Sequence, residues 1–226
     1  MHYRQGDSDE DRTAYGEVVL AAIGRVPNTD ADWFRSSGLK LDERGYVTVD
    51  GYGRTNLDGV WALGDITPGH ALAHRAFEQG ITIAEKIAGA DPKPVIDDTV
   101  PQVVFSFPEA ASVGLTLDQA KAREDVVEPK ETAYPMLSNA RMLMSGEGGS
   151  MTVVSGAFAN NPDMQVVLGV HIVSPIASDL IAEAEQLVGN RVPLADAARL
   201  IHPHPTFSET LGEALLKADG RPLHTR

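Results

Sequence analysis

The segment Asp91-Pro92-Lys93-Pro94 splits the chain into two stretches of different texture, and it limits the possible folds more than any other feature. Each proline fixes φ and removes a backbone donor, so neither a helix nor a central strand can run through it. A domain boundary is therefore expected near residue 96. Just upstream, from His70 to Ala88, the spacing is helical. Leu72, Ala73, Ala76, Phe77, Ile81, Ala84 and Ile87 form one apolar stripe, with Gly89 as the stop. Downstream the apolar period shortens to that of strands, predicted over 102–107, 111–115, 126–134, 150–158 and 165–173. Helices are predicted over 116–123, 176–188, 193–200 and 207–218, the first opened by a capping box of Thr116 and Gln119. Strands with helices packed against them predict an α+β domain built on a largely antiparallel sheet.

The first 96 residues have a different pattern. Residues 1–16 are polar and fit a surface hairpin. Glu17 to Ile23 is a nearly continuous apolar run, which predicts a buried strand, and Gly24-Arg25-Val26-Pro27-Asn28 is a turn. Tyr46 to Asp50 alternates between Gly45 and Gly51 and predicts another strand. A third, from Val60 to Leu63, ends at Gly64-Asp65.

Composition removes several functions. A formal net charge of −13 opposes binding to nucleic acid or to an anionic membrane surface. No apolar run approaches the roughly 20 residues that span a bilayer. The chain has no cysteine, hence no disulfide framework, thiolate metal site or thiol nucleophile, which fits a cytoplasmic protein.

Two motifs carry chemistry. In His202-Pro203-His204-Pro205-Thr206-Phe207-Ser208-Glu209, prolines stiffen the backbone on both sides of His204, and either X-Pro bond is a candidate for cis. Imidazole transfers protons near neutrality, and a carboxylate such as Glu209 fixes its tautomer. Thr206 and Glu209 also have capping-box spacing, so Glu209 is open to a purely structural role as well. His202 and His204 lack further ligands nearby in sequence, so no metal site is expected. In Thr55-Asn56-Leu57-Asp58-Gly59-Val60-Trp61-Ala62-Leu63-Gly64-Asp65, a strand ends in Gly-Asp, which lets a ligand approach and offers a carboxylate to sugar or polyol hydroxyls. An ordinary strand-to-loop turn has the same composition. Gly51-Tyr52-Gly53 and Gly146-Glu147-Gly148-Gly149 lack the spacing of a phosphate loop, and His70 and His74, one helical turn apart, fit a surface or core pair better than a metal site.

Taken in order, these segments resemble the flavin-dependent pyridine nucleotide–disulfide oxidoreductases. The resemblance rests on an apolar strand into Gly24-Arg25-Val26-Pro27-Asn28-Thr29, then Trp61-Ala62-Leu63-Gly64-Asp65, Leu72-Ala73-His74-Arg75-Ala76 and His204-Pro205-Thr206-Phe207-Ser208-Glu209. Ser138-Asn139-Ala140-Arg141 and His202 make it most similar to the dihydrolipoamide dehydrogenase branch, with glutathione reductase-like enzymes the nearest alternative. The resemblance implies FAD and NAD as cofactors. It implies that Gly24 lies at the nicotinamide-cofactor site, that Asp65 binds the flavin ribityl chain, and that Ala71, Leu72, Ala73 and His74 lie against the isoalloxazine. It makes His204 the catalytic base and Glu209 its orienting carboxylate, acting in a homodimer that serves the dihydrolipoyl-carrying acyltransferase of a 2-oxo acid dehydrogenase complex. The implied divisions are 1–25, a remnant of the NAD-binding domain; 26–96, the end of the FAD-binding domain; and 97–226, the dimerisation domain. The family's flavin-binding glycine motif and redox-active cysteines are missing. The resemblance therefore implies the carboxyl-terminal part of a longer enzyme, inactive alone, or a non-catalytic dimerisation module.

Overall fold

In the computed structural model, which describes residues 1–225, the core lies beyond the proline segment. Arg226, the last residue of the expected dimerisation domain, lies outside the described residues.

Five antiparallel strands form one sheet in the order β3-β4-β7-β6-β5, where β3 is Gln102–Val104, β4 Glu109–Gly114, β5 Val126–Pro135, β6 Ser150–Phe158 and β7 Asn161–Ser174. The α+β architecture is as the sequence predicts. Strand β7 is central and reads as an unbroken buried run over 166–170 because both of its faces are covered. On one face Val167, Val170 and Ile172 meet helices α5 (Ala177–Gly189), α6 (Leu194–Ala197) and α7 (Glu209–Ala218). On the other, Val166 and Leu168 meet Leu115 and Ala120, the latter from helix α3 (Leu117–Ala122). The fully buried Leu211 and Leu215 of α7 contribute about 1.5–3 kcal/mol each by leaving water.

Local chemistry sets the helix ends. Thr116 and Gln119 form the predicted capping box: the Thr116 hydroxyl accepts from the Gln119 N–H, and the Gln119 side chain accepts from the Thr116 N–H. Helix α5 has no capping side chain of its own. Instead Glu109, at the start of β4, accepts from the Ser178 N–H at 2.8 Å, which holds its carboxyl below the ordinary value. Two short helices went unpredicted: α1 (Asp32–Ser37), and α4 (Ala140–Ser145), which is N-capped by Asn139 and ended by Gly146 at φ 71°. Conversely, the helix predicted over 193–200 spans only Leu194–Ala197.

Upstream the sequence reading needs correction. Residues 1–16 do fold back as a hairpin of β1 (His2–Tyr3) and β2 (Arg12–Thr13). The run from Glu17 to Ile23 is neither a strand nor buried, with Ile23 98% exposed. A strand needs a neighbour for its backbone, and none of the described strands pairs with this segment. The segments at 46–50 and 60–63 make only isolated bridges, Leu41 to Val47 and Arg54 to Trp61, around a small core of Phe34, Val47 and Ala62. Phe34 comes from a short helix, α1 (Asp32–Ser37).

Helix α2 (Ala73–Ile87) forms where predicted, and Gly89 follows its end at φ 85°. Its apolar stripe, however, faces outward, with Phe77 72% exposed. The face it buries carries Arg75, Thr82 and Ile83. Arg75 decides this orientation. Its guanidinium donates to Asp97 Oδ1 at 2.6 Å and to the Pro68 carbonyl at 2.7 Å, tying the helix to the 97–99 turn across the proline segment.

The tightest backbone approach in the sheet joins Gly114 to Gly169 in register. Gly114 has φ 78°, and a Cβ there would meet the Leu168 carbonyl and lie 2.7 Å from Gly169 Cα. Gly114→Ala is expected to cost about 2–4 kcal/mol, combining left-handed strain with overpacking. Urea denaturation measures it; a loss under about 1 kcal/mol would show that the strands slide apart cheaply.

Candidate active site

His204 stands on the loop between α6 and α7, with the His204–Pro205 peptide bond cis. The loop closes on itself where the Thr206 hydroxyl donates to the Pro203 carbonyl at 2.7 Å. Glu209, the first residue of α7, divides its carboxylate. Oε1 lies 2.8 Å from His204 Nδ1, and Oε2 accepts the Thr206 N–H at 2.7 Å. The two roles left open by the sequence are thus held by one side chain. The capping box is only half formed, since the Thr206 hydroxyl is spent on Pro203 and does not return to Glu209.

Burial opposes charge on Glu209, but the Thr206 N–H and His204 outweigh it and hold the carboxyl below its ordinary 4.5. An ionised carboxylate only accepts, so Nδ1 of His204 must carry the hydrogen. The Nε2 lone pair is then free to take a proton. The His204 side chain is 70% exposed while that of Glu209 is 19% exposed, so the imidazole is presented outward from an anchored base.

His204 and Glu209 line a cleft of about 170 Å³ with Ser138, Asn139, Ala140, Leu143, Glu213 and His224. Glu213, one turn along α7 from Glu209, binds His224 Nδ1 at 2.8 Å and so pins the end of the described chain beside His204. This second pair could not be read from the order of residues, because nothing in the spacing of residues 213 and 224 distinguishes it. Behind both carboxylates, the Tyr134 phenol is buried without a partner, and its pKa is pushed up to about 12 by burial, Glu213 and Glu209. His202 bonds a different carboxylate from His204. Its Nε2 meets Glu183 at 2.8 Å, a contact that raises its pKa against the opposing effect of burial, and its ring packs on Gly212. Among the described residues, no group of three or more His, Cys, Asp or Glu is arranged to hold a metal ion.

The residues expected to hold cofactors fall in two places. Asp65 lies exposed in the 64–66 turn, which packs against α2 and is fastened by Gly64 N–H to Gln79 Oε1 at 2.9 Å. Ala71, Leu72, Ala73 and His74 begin α2, whose amino end has no side-chain cap, leaving its first N–H groups open to a negative group. An open helix end beside an exposed carboxylate acceptor fits an anionic, polyol-bearing cofactor such as FAD. His74 itself is engaged with the Pro101 carbonyl at 2.7 Å. Gly24 has φ 107° and nothing near its Cα, in the exposed segment, so the structure does not bring it to the other candidates.

The profile for the pyridine nucleotide-disulphide oxidoreductase dimerisation domain matches residues 100–215, and that for pyridine nucleotide-disulphide oxidoreductase matches residues 4–80. The chain belongs to the pyridine nucleotide–disulphide oxidoreductase family. It is 41% identical over 208 residues to a dihydrolipoyl dehydrogenase of Cupriavidus necator, covering 91% of this chain and 42% of that protein. It is 39% identical to one from Geobacillus stearothermophilus, covering 95% and 44%. Among solved structures, LpdA of Mycobacterium tuberculosis superposes with a TM-score of 0.77 at 31% identity, over 87% of this chain and 42% of that one. The flavoprotein disulfide reductase RclA of Escherichia coli, at 23% identity and a TM-score of 0.73 over 86% and 43%, shares the fold. The chain therefore spans less than half the length of these relatives. Among the described residues, no helix is long and apolar enough to cross a membrane.

His202 and Glu209 predict opposite pH effects. His202, raised in the fold, stabilises below its ordinary 6.5, and this is lost as pH rises through its higher folded value. Glu209, lowered in the fold, stabilises above its ordinary 4.5, and this is lost as pH falls through its lower folded value. In thermal melts, Glu183→Gln is expected to flatten the alkaline limb and Glu209→Gln the acid limb. Unchanged limbs would remove these pairs from the pH dependence.

Proposed function

We propose that the chain supplies the acid–base part of a thiol–disulfide site in a homodimeric flavoprotein that oxidises dihydrolipoamide to lipoamide with NAD as acceptor. The single observation carrying this reading is the His204–Glu209 contact, with Nδ1 held by an anchored carboxylate and Nε2 free. In the reaction, His204 Nε2 takes the proton of a substrate thiol, and the thiolate attacks one sulfur of a disulfide, forming a mixed disulfide as the S–S bond breaks and the other sulfur leaves as a thiolate. Glu209 stabilises the resulting imidazolium. The chain holds no cysteine, so that disulfide comes from polypeptide outside these residues. In the family's homodimer, the dimerisation domain carries His204 to it.

FAD, when bound, supplies the two-electron path between dithiol and NAD. Asp65 would accept hydrogen bonds from its polyol chain, and the open amino end of α2, Ala71 to His74, would favour negative charge on it. Gly24 would belong to the NAD site. The dithiol substrate itself would be the lipoyl group of an acyltransferase in a 2-oxo acid dehydrogenase complex, in a cytoplasmic setting. The chain would divide at residues 25 and 96; the proline segment supports the second boundary. A second reading, a dimerisation module without catalysis, is favoured by the concentration of the core beyond residue 100 and by the exposure of residues 17–23.

In an assembly that provides the disulfide and FAD, His204→Gln is expected to lower dihydrolipoamide-dependent NAD reduction about 10²–10⁴-fold. Near-normal turnover would refute the base. Sedimentation at micromolar concentration is expected to show a dimer, and a monomer would count against the proposed assembly.

A further inference from the structure

Asn139 is buried and lies at the junction of two structures with different tasks. Its Oδ1 accepts the Met142 N–H at 3.1 Å and caps α4. Its Nδ2 donates to the Thr206 carbonyl at 3.2 Å, across 67 residues of sequence. That carbonyl belongs to the same residue whose N–H is held by Glu209 and whose hydroxyl is held by Pro203. Two residues on, the Arg141 guanidinium sits 5.3 Å from the centre of the Phe207 ring, so α4 grips the loop at a second point.

We infer that Asn139 is a positioning residue for His204: it clamps the Thr206 peptide from α4 and so fixes the loop that aims the imidazole into the cleft. Without the clamp, Thr206 is held by Glu209 and its own hydroxyl alone, and Glu209 must restrain both the loop and the ring. The capping arm and the clamping arm use different atoms of one amide, which makes them separable. Serine and aspartate cap a helix as well as asparagine does. Serine is too short to reach Thr206, and aspartate has no hydrogen to donate.

The role in turnover rests on the proposed proton transfer by His204; the clamp does not. Asn139→Ser, Asn139→Asp and Asn139→Ala are compared in the whole chain. Asn139→Ser is expected to melt above Asn139→Ala, because the cap survives. Its Thr206 amide should nevertheless exchange roughly 5- to 10-fold faster, the equivalent of one lost hydrogen bond. The His204 ring resonances should shift in NMR. Where the disulfide and FAD are provided, kcat should fall about 10- to 100-fold with KM little changed, as for a misplaced group. Asn139→Asp should behave alike, and it decides the matter if the serine variant does not fold. If either variant keeps wild-type Thr206 exchange and His204 resonances, Asn139 is a helix cap only and the inference fails. If the resonances move while His204→Gln leaves turnover intact, the clamp stands and the proposed function falls.

Discussion

The run over 166–170 in β7 lies at the centre of the sheet with a helical layer on each face. Covering both faces of one strand fixes the register of its neighbours, since a slip by one residue would exchange the two cores. Gly114 and Gly169 let the adjacent backbones approach closely enough to lock that register. The helices on the larger core are placed by the same burial, and α7, packed on β5 and β6, is almost entirely enclosed. The first residue of α7 is Glu209, so the carboxylate inherits its position from the core.

This explains how an exposed histidine is held in place. His204 makes one polar contact, through Nδ1, but that contact ends on a side chain rooted at the start of a buried helix. Helical spacing puts Glu213 one turn further along, where it holds His224. Two carboxylates on one face, each bound to a histidine and set in front of the buried Tyr134 phenol, make the cleft strongly acidic at its base.

The upstream half obeys a different balance. Arg75, itself buried, and the partly exposed Asp97 fasten α2 through an ion pair, and the apolar stripe of the same helix is left facing water. Burying a guanidinium is costly unless it is paired, and Asp97 and the Pro68 carbonyl take hydrogen bonds from its Nε and Nη2. The exposed run at 17–23 and the outward stripe of α2 have the composition of covered surfaces. Local sequence encodes the wish to be buried; only a neighbour grants it.

The strands beyond residue 96, the helix of 73–87, the Thr116 box and the pairing of His204 with Glu209 were all legible from the order of residues, because period, caps and loop-stiffening prolines act over a few positions. Which face of α2 turns inward was not legible, since the decision was made by Asp97, 22 residues from Arg75. Nor was the role of Asn139, whose partner lies 67 residues away, or of Glu213, whose histidine is 11 away without a motif to link them. The sequence by itself determined most elements beyond residue 96 and the pairing of His204 with Glu209, through interactions between near neighbours. The tertiary structure alone decided burial and the second support of His204, because those depend on which distant groups arrive at the same place.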